Sequence, residues 1–220
     1  VVTTAQYGAS GLAGVWAPQN TREDLFAAMR AKETFGTSGP RIKVRMFAGP
    51  DYSTETLASA DMLEQAYAGG VPMGGRLGAA ETAPQMIAWA VRDPASVPLQ
   101  RLQIIKVWSD DGVEQEAIHD VACAGGAQVD PQTRRCADNG ARVDMATCAT
   151  NDETGAGELK ALWQDPDYDP AQSAAYYVRV LENPKCRWSS WDAARAGTPV
   201  SPVMEPLVQD RAWGSPIWVN

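Results

Sequence analysis

Arg41-Ile-Lys-Val-Arg-Met46 is the stretch at which the period of the chain changes. Ile42, Val44 and Met46 alternate with Lys43 and Arg45, the two-residue repeat of a half-buried strand. Upstream of it the repeat is helical. Leu25, Phe26, Ala28 and Met29 fall on one helical face, behind a start signal at Pro18–Glu23. Asn20 is the expected cap, with Glu23 three residues on and Asp24 in the first turn. Gly36 and Gly39 are expected to stop this helix. Before it, Gly11–Ala17 carries Leu12, Ala13, Val15 and Trp16 and reads as a short buried strand.

Downstream of Arg41 the pattern stays extended. Gln85–Val91 and Leu102–Trp108 are strands by apolar density. Asp111-Gly112 is a hairpin turn into Val113–Val121, and Asn139-Gly140 a second turn feeding Arg142–Cys148. Ala175–Glu182 and Ser215–Val219 complete the strands. Residues 54–68 read as a helix ended by Gly69-Gly70, and Asp169-Pro170 as the cap and first position of a brief helical turn. The fold class is therefore α+β, mainly β. A strand-loop-helix unit over residues 1–40 precedes a β-rich antiparallel sheet or sandwich over residues 41–220.

Composition narrows the function. The chain has 220 residues, 45% of them apolar and 21% charged, which suits a folded domain. A net charge of −8 with scattered Lys and Arg argues against nucleic acid as a partner. No apolar run reaches the roughly 18–20 residues of a membrane span. There is a single histidine, His119, beside eight tryptophans and only three phenylalanines. One histidine excludes an internal multi-His metal centre and leaves at most one His-dependent nucleophilic site. The opening Val1-Val-Thr-Thr has neither methionine nor a signal-peptide apolar region, and reads as the start of a trimmed piece of a longer chain.

Cys123, Cys136, Cys148 and Cys186 contain no Cys-x-x-Cys pair, and His119 is not spaced as their zinc partner. Disulfides fit better. Cys123 and Cys136 bracket a polar loop turning at Asp130-Pro131, which favours that pair and leaves Cys148 with Cys186; four buried thiols is the other reading. Disulfides would place the chain in the periplasm or outside the cell.

Three features could carry chemistry. His119 sits beside Asp120, a sequence suggestive of a general base. On a strand, however, His119 shares a face with Ala117 and Val121, while Asp120 points with Glu114 and Glu116 to the other side, so a plain sheet histidine is expected. Asp165-Pro-Asp167-Tyr-Asp169 alternates acids as a calcium loop does, but Pro170 and Tyr176 stand where an EF-hand needs Gly and Glu. Turn and cap use of Asp-Pro is the simpler account, a calcium loop of another type the alternative. Most tryptophans are expected in the core, with Trp188 and Trp191, around Ser189-Ser190, the exposed pair. Gly69-Gly70 and Gly74-Gly75 lack the Lys-Ser/Thr of a phosphate loop.

A set of longer motifs resembles the C-terminal half of a large bacterial family of unknown function. They are Gly14-Val-Trp-Ala17, Asn20-Thr-Arg-Glu23, Glu33-Thr-Phe-Gly-Thr-Ser-Gly-Pro-Arg41 and Ala66-Tyr-Ala-Gly-Gly-Val-Pro-Met-Gly-Gly75. Asp165-Pro-Asp-Tyr-Asp-Pro-Ala-Gln172, Tyr176-Tyr-Val-Arg-Val-Leu-Glu182 and Arg211-Ala-Trp-Gly-Ser-Pro-Ile-Trp218 continue the match over almost the whole chain. The resemblance implies a longer exported protein whose upstream half is similar to the polymerase-and-histidinol-phosphatase (PHP) metallohydrolases, which hold divalent metals in a distorted β/α barrel. Residues 12–17 would then be a late barrel strand and residues 20–32 its helix, with Trp16, Asn20, Thr21 and Arg22 near the rim as substrate-contacting or supporting groups. The metal motifs would lie upstream of Val1, so no metal ligand is carried over onto this chain and the divalent metal is expected in the upstream domain. The expectation is a non-catalytic C-terminal part of a phosphoester or related ester hydrolase, partnered by that upstream half or by a second copy through the Gly11–Ala17 strand. The alternative is a binding module that offers Trp188, Trp191 or Trp213 to a glycan or cell-envelope ligand.

Overall fold

The computed structural model describes residues 7–8 and 10–220; the Val1-Val-Thr-Thr opening lies outside the described residues. The first half contains β1 (Leu12–Val15), α1 (Arg22–Ala31), β2 (Thr34–Thr37), β3 (Lys43–Gly49), α2 (Thr54–Ala58) and α3 (Met62–Gly69). Then come β4 (Val71–Pro72), β5 (Arg76–Leu77), β6 (Gln85–Val91), β7 (Leu99–Asp110) and β8 (Val113–Cys123). The last third holds β9 (Glu158–Gln164), β10 (Ala174–Glu182), β11 (Lys185–Cys186) and α4 (Trp188–Ala196). It ends with β12 (Leu207–Val208), β13 (Arg211–Gly214) and β14 (Ile217–Val219).

Two main sheets build the molecule, with β11 and β12 paired as a separate two-stranded ribbon. In the larger one β10 pairs antiparallel with β7 along its whole length, and β7 with β8. The other side of β10 is shared end to end by β13 and β14. β13 then meets β2, which meets β1, and β14 meets β5 in the one parallel pairing of this sheet. The smaller sheet runs β4-β3-β6-β9, all antiparallel. Neither sheet closes into a barrel among the described residues, and β1 runs antiparallel to β2.

The inner faces of the two sheets share one core. Val44 and Met46 of β3, Met86, Ala88 and Ala90 of β6, and Leu159 and Ala161 of β9 face Leu102 and Ile104 of β7 and Tyr176, Val178 and Val180 of β10. Their i, i+2 spacing is the strand alternation read from residues 42–46. The odd positions Phe47 and Ile87 form a second, smaller core on the far side of β3 and β6 with Tyr52, Met62 and Ala66, under α2 and α3. Gly70 is required there, because a Cβ would lie 2.1 Å from the Ala48 carbonyl oxygen. The β7–β8 hairpin turns at Asp111 (φ 48°) and Gly112 (φ 81°), as the Asp-Gly pair predicts.

Several local expectations are corrected. Thr21 rather than Asn20 caps α1, its hydroxyl accepting from the Asp24 N–H. The helix stops at Lys32, which adopts the left-handed conformation, and Gly36 lies inside β2. Of the apolar face expected on α1, only Ala28 is buried; Phe26 (63% exposed) and Met29 (61%) face outward. The helix over 54–68 breaks at residues 59–61, where the Ser59 hydroxyl accepts from the Asp61 N–H. Residues 142–148 are not a strand, because turn bonds to Asp144 from Ala146, Thr147 and Cys148 leave only a Val143–Thr150 bridge. Asp169-Pro170 makes a turn, with the Asp169 carboxylate accepting from the Ala171 N–H, and no helix follows. The polar stretch expected around Ser189-Ser190 is the helix α4. No tryptophan is fully buried: Trp16, Trp108 and Trp163 line the edge of the main core half-buried, and Trp89 that of the smaller one.

Both disulfides form as expected, Cys123–Cys136 and Cys148–Cys186. They close sequence separations of 13 and 38 residues around a stretch with little regular structure. Loop-closure entropy assigns them about 3 and about 4 kcal/mol respectively. Replacing each pair by serines is expected to lower the urea midpoint in that order, as followed by tryptophan fluorescence; an unchanged midpoint for Cys148/Cys186 would show that the bond does not restrain the unfolded chain.

Candidate functional site

The dry interior of the sandwich turns polar at one end. Along β7 the inward positions run Leu102, Ile104, Lys106, and Lys106 lies opposite Tyr176 of β10 in the register. His119 of β8 lies opposite Ile104 and so shares the inward face. The chain leaving β9 then brings Asp165 over these residues. The Asp165 side chain is wholly buried, and its Oδ2 accepts from Lys106 Nζ at 2.8 Å and from the Tyr176 hydroxyl at 2.8 Å. Its Oδ1 accepts from the Asp167 N–H at 2.9 Å, and Lys106 Nζ also donates to the Asp167 carbonyl at 2.9 Å. A buried ion pair of this kind is costly to break, at about 3–5 kcal/mol for loss of one partner.

The Asp167 side chain turns outward and pairs with both terminal nitrogens of Arg134. Those hydrogen bonds hold the Asp167 carboxyl below its usual range. His119 is 2% exposed, packs tilted against Trp163 with ring centroids 4.9 Å apart, and its Nε2 has no hydrogen-bond partner among the described residues. An unsatisfied buried polar atom costs about 1–3 kcal/mol. One ring nitrogen of His119 and one carboxylate oxygen from each of Asp165 and Asp167 lie within 4.8 Å of one another. The acidic loop and the histidine, unconnected in the sequence reading, meet here.

Asp120 belongs elsewhere, as alternation requires. It is buried on the outer face, where it accepts from Gln103 Nε2 (2.6 Å), Arg101 Nη1 (3.1 Å) and the Cys136 N–H (2.7 Å). It therefore pins the loop carrying the Cys123–Cys136 disulfide and takes no part with His119.

The rim residues expected from the resemblance have different surroundings. Thr21 is engaged in capping α1, with Asn20 and Arg22 exposed beside it. Trp16 is half-buried, donates from Nε1 to the Val44 carbonyl at 2.9 Å, and carries the Arg45 guanidinium 3.8 Å above its ring. The neighbour it does meet is Arg45, with Glu33 and Tyr67 close by; Glu33 and Tyr67 lie within two of the family motifs, whereas Arg45 lies in none.

A separate open groove of about 870 Å³ runs along the Cys148–Cys186 disulfide. Trp188 (41% exposed) and Trp191 (37%) stand on its wall as expected, whereas Trp213 is half-buried in β13. Lys185 on the same wall is held by Asp210 at 2.8 Å and by Ser96 Oγ at 2.7 Å.

A family model described as "Protein of unknown function (DUF3604)" matches residues 1–220. The chain belongs to this family. No curated protein and no solved structure matches this DUF3604 chain. Among its described residues no helix is long and apolar enough to cross a membrane.

The single histidine makes the buried end of this DUF3604 chain directly observable. Burial lowers the His119 pKa from its ordinary 6.5, outweighing the attraction of Asp165. The unfolded chain therefore takes up this proton first, so the neutral ring's contribution to stability is present above about pH 6.5 and is lost as pH falls through the folded value. In chelator-treated protein the one imidazole NMR signal is expected to titrate with a midpoint below 6.5. A midpoint above it would mean that the two carboxylates outweigh burial.

Proposed function

We propose that this chain is the β-rich, non-catalytic portion of an exported, PHP-like metal-dependent hydrolase. It docks through its N-terminal strand-helix unit on the half that does the chemistry, where metal-activated water would attack a phosphoester or related bond. The observation that carries this reading is the outward placement of Leu12 on the edge strand β1 and of Phe26 and Met29 on α1. Phe26 and Met29 are three residues apart and so neighbours on the helix surface. A strand edge beside exposed large apolar side chains suits a docking face rather than free solvent. The motifs from Gly14 to Trp218, by their resemblance, support the same reading, and the two disulfides suit export. Assayed with bis(p-nitrophenyl) phosphate and Mn²⁺ or Zn²⁺, this chain alone is expected to show no turnover, and a longer family member with the upstream half to show it. Metal-dependent turnover by this chain alone would overturn the proposal.

The groove favours a second reading, a binding module for a glycan or cell-envelope ligand. Trp188 and Trp191 offer apolar faces beside the polar groups of Ser96 and Asp93, a combination that suits sugar rings. Iodide is expected to quench a tryptophan fraction that disappears in Trp188→Phe/Trp191→Phe. A β-1,4-linked oligosaccharide should protect that fraction. Absence of protection by peptidoglycan-derived and cellulosic oligosaccharides alike would count against this reading.

A further inference from the structure

The charges at the polar end of the sandwich cancel in pairs, Lys106 with Asp165 and Arg134 with Asp167. The histidine is what the pairing leaves over. His119 is buried, and its Nε2 has no partner among the described residues. Lone pairs also remain on the carboxylates. Asp165 Oδ2 accepts twice, but its Oδ1 accepts only the Asp167 N–H, and each Asp167 oxygen accepts once from Arg134. A carboxylate oxygen has about two acceptor positions, so both carboxylates keep acceptor capacity beyond these bonds, and one ring nitrogen and one oxygen from each lie within 4.8 Å of one another.

We propose that His119, Asp165 and Asp167 form a binding site for a divalent first-row transition ion of the zinc type, with water completing its shell. The donor set argues for that class: imidazole selects zinc and its neighbours over calcium and magnesium, while the carboxylates supply the charge. Metal–ligand distances of about 2.0–2.2 Å place donors about 3–4.4 Å apart. The present atoms lie within 4.8 Å of one another, and the Asp167 side chain, 54% exposed, can close the remainder once Arg134 releases it. Asp165 is already oriented by Lys106 and Tyr176, the outer support that metal-binding carboxylates commonly have. Two cations oppose the ion: Lys106 stays on Asp165 Oδ2, whereas Arg134, at 40% side-chain exposure, can swing into solvent when the ion enters. The site owes nothing to the proposed upstream half, and it requires no catalysis by this chain.

The test is calorimetric titration of the chelator-treated chain with ZnCl₂ and, separately, CaCl₂, alongside the His119 NMR signal. Expected are one zinc per chain, binding at least tenfold tighter than calcium, and a shift of the imidazole signal on zinc addition. Asp167→Asn, a change at an exposed side chain that leaves the buried pair in place, should weaken zinc at least tenfold, as should His119→Gln. Arg134→Ser should tighten it several-fold. Failure of the wild-type chain to bind zinc at one site would overturn the proposal. So would equal affinity for calcium, an unmoved imidazole signal, or undiminished binding by folded Asp167→Asn. Zinc bound without phosphodiesterase turnover satisfies this proposal and the proposed function together, whereas turnover by this chain alone would sink only the latter.

Discussion

One dry interior shared by two antiparallel sheets governs this chain, and strict alternation along β3, β6, β7 and β10 decides which side chains enter it. Because successive residues point to opposite faces, a slip of one position would expel Val44, Met46, Leu102, Ile104, Val178 and Val180 together. The register of β7 against β10, maintained over nine residue pairs with an irregularity only at Leu181/Glu182, is therefore strongly specified by burial. The remaining elements attach to this frame. α2 and α3 cover the far side of the small sheet, and β1, α1 and β2 extend the large sheet at its edge.

The same alternation explains how polar groups come to lie inside. Lys106 and His119 occupy inward positions because their strands must keep register, and at that end the sandwich closes over them with Asp165 and Trp163. Burying Lys106 demands a carboxylate, and burying the carboxylate demands further donors, which Tyr176 and the Asp167 N–H supply. The exception is His119 Nε2, which has no partner among the described residues. On the outer face the equivalent role falls to Asp120, which gathers Gln103, Arg101 and the Cys136 N–H and so fixes a long loop to the sheet.

Much of the frame was legible in the sequence where burial is one-sided or the turn chemistry is specific. The change of period at Arg41, the strand Gln85–Val91, the Asp111-Gly112 turn and both disulfide pairs are all found in the structure. The misreadings occur where side-chain hydrogen bonds compete with propensity. Asp144 turns residues 142–148 away from a strand, and Thr21 takes the cap from Asn20. The apolar side of α1 misled for another reason: Phe26 and Met29 have helical spacing, but that spacing does not say whether anything lies opposite them. The tryptophans were misplaced because a large ring with an N–H to satisfy settles at the edge of a core, as Trp16 does against the Val44 carbonyl.

By itself the sequence determined the β-rich class, the main strands, the disulfide framework and the opposition of His119 to Asp120, because each depends on local period, turn chemistry or adjacency. The meeting of His119 with Asp165, Asp167 and Lys106 was decided only by tertiary structure. Those residues come from two strands and a loop as far as 61 positions apart, and only the packing of one sheet on the other brings them to a common point. A run of alternating acids looks the same whether it faces water or a buried imidazole. The difference lies in what the second sheet places above it.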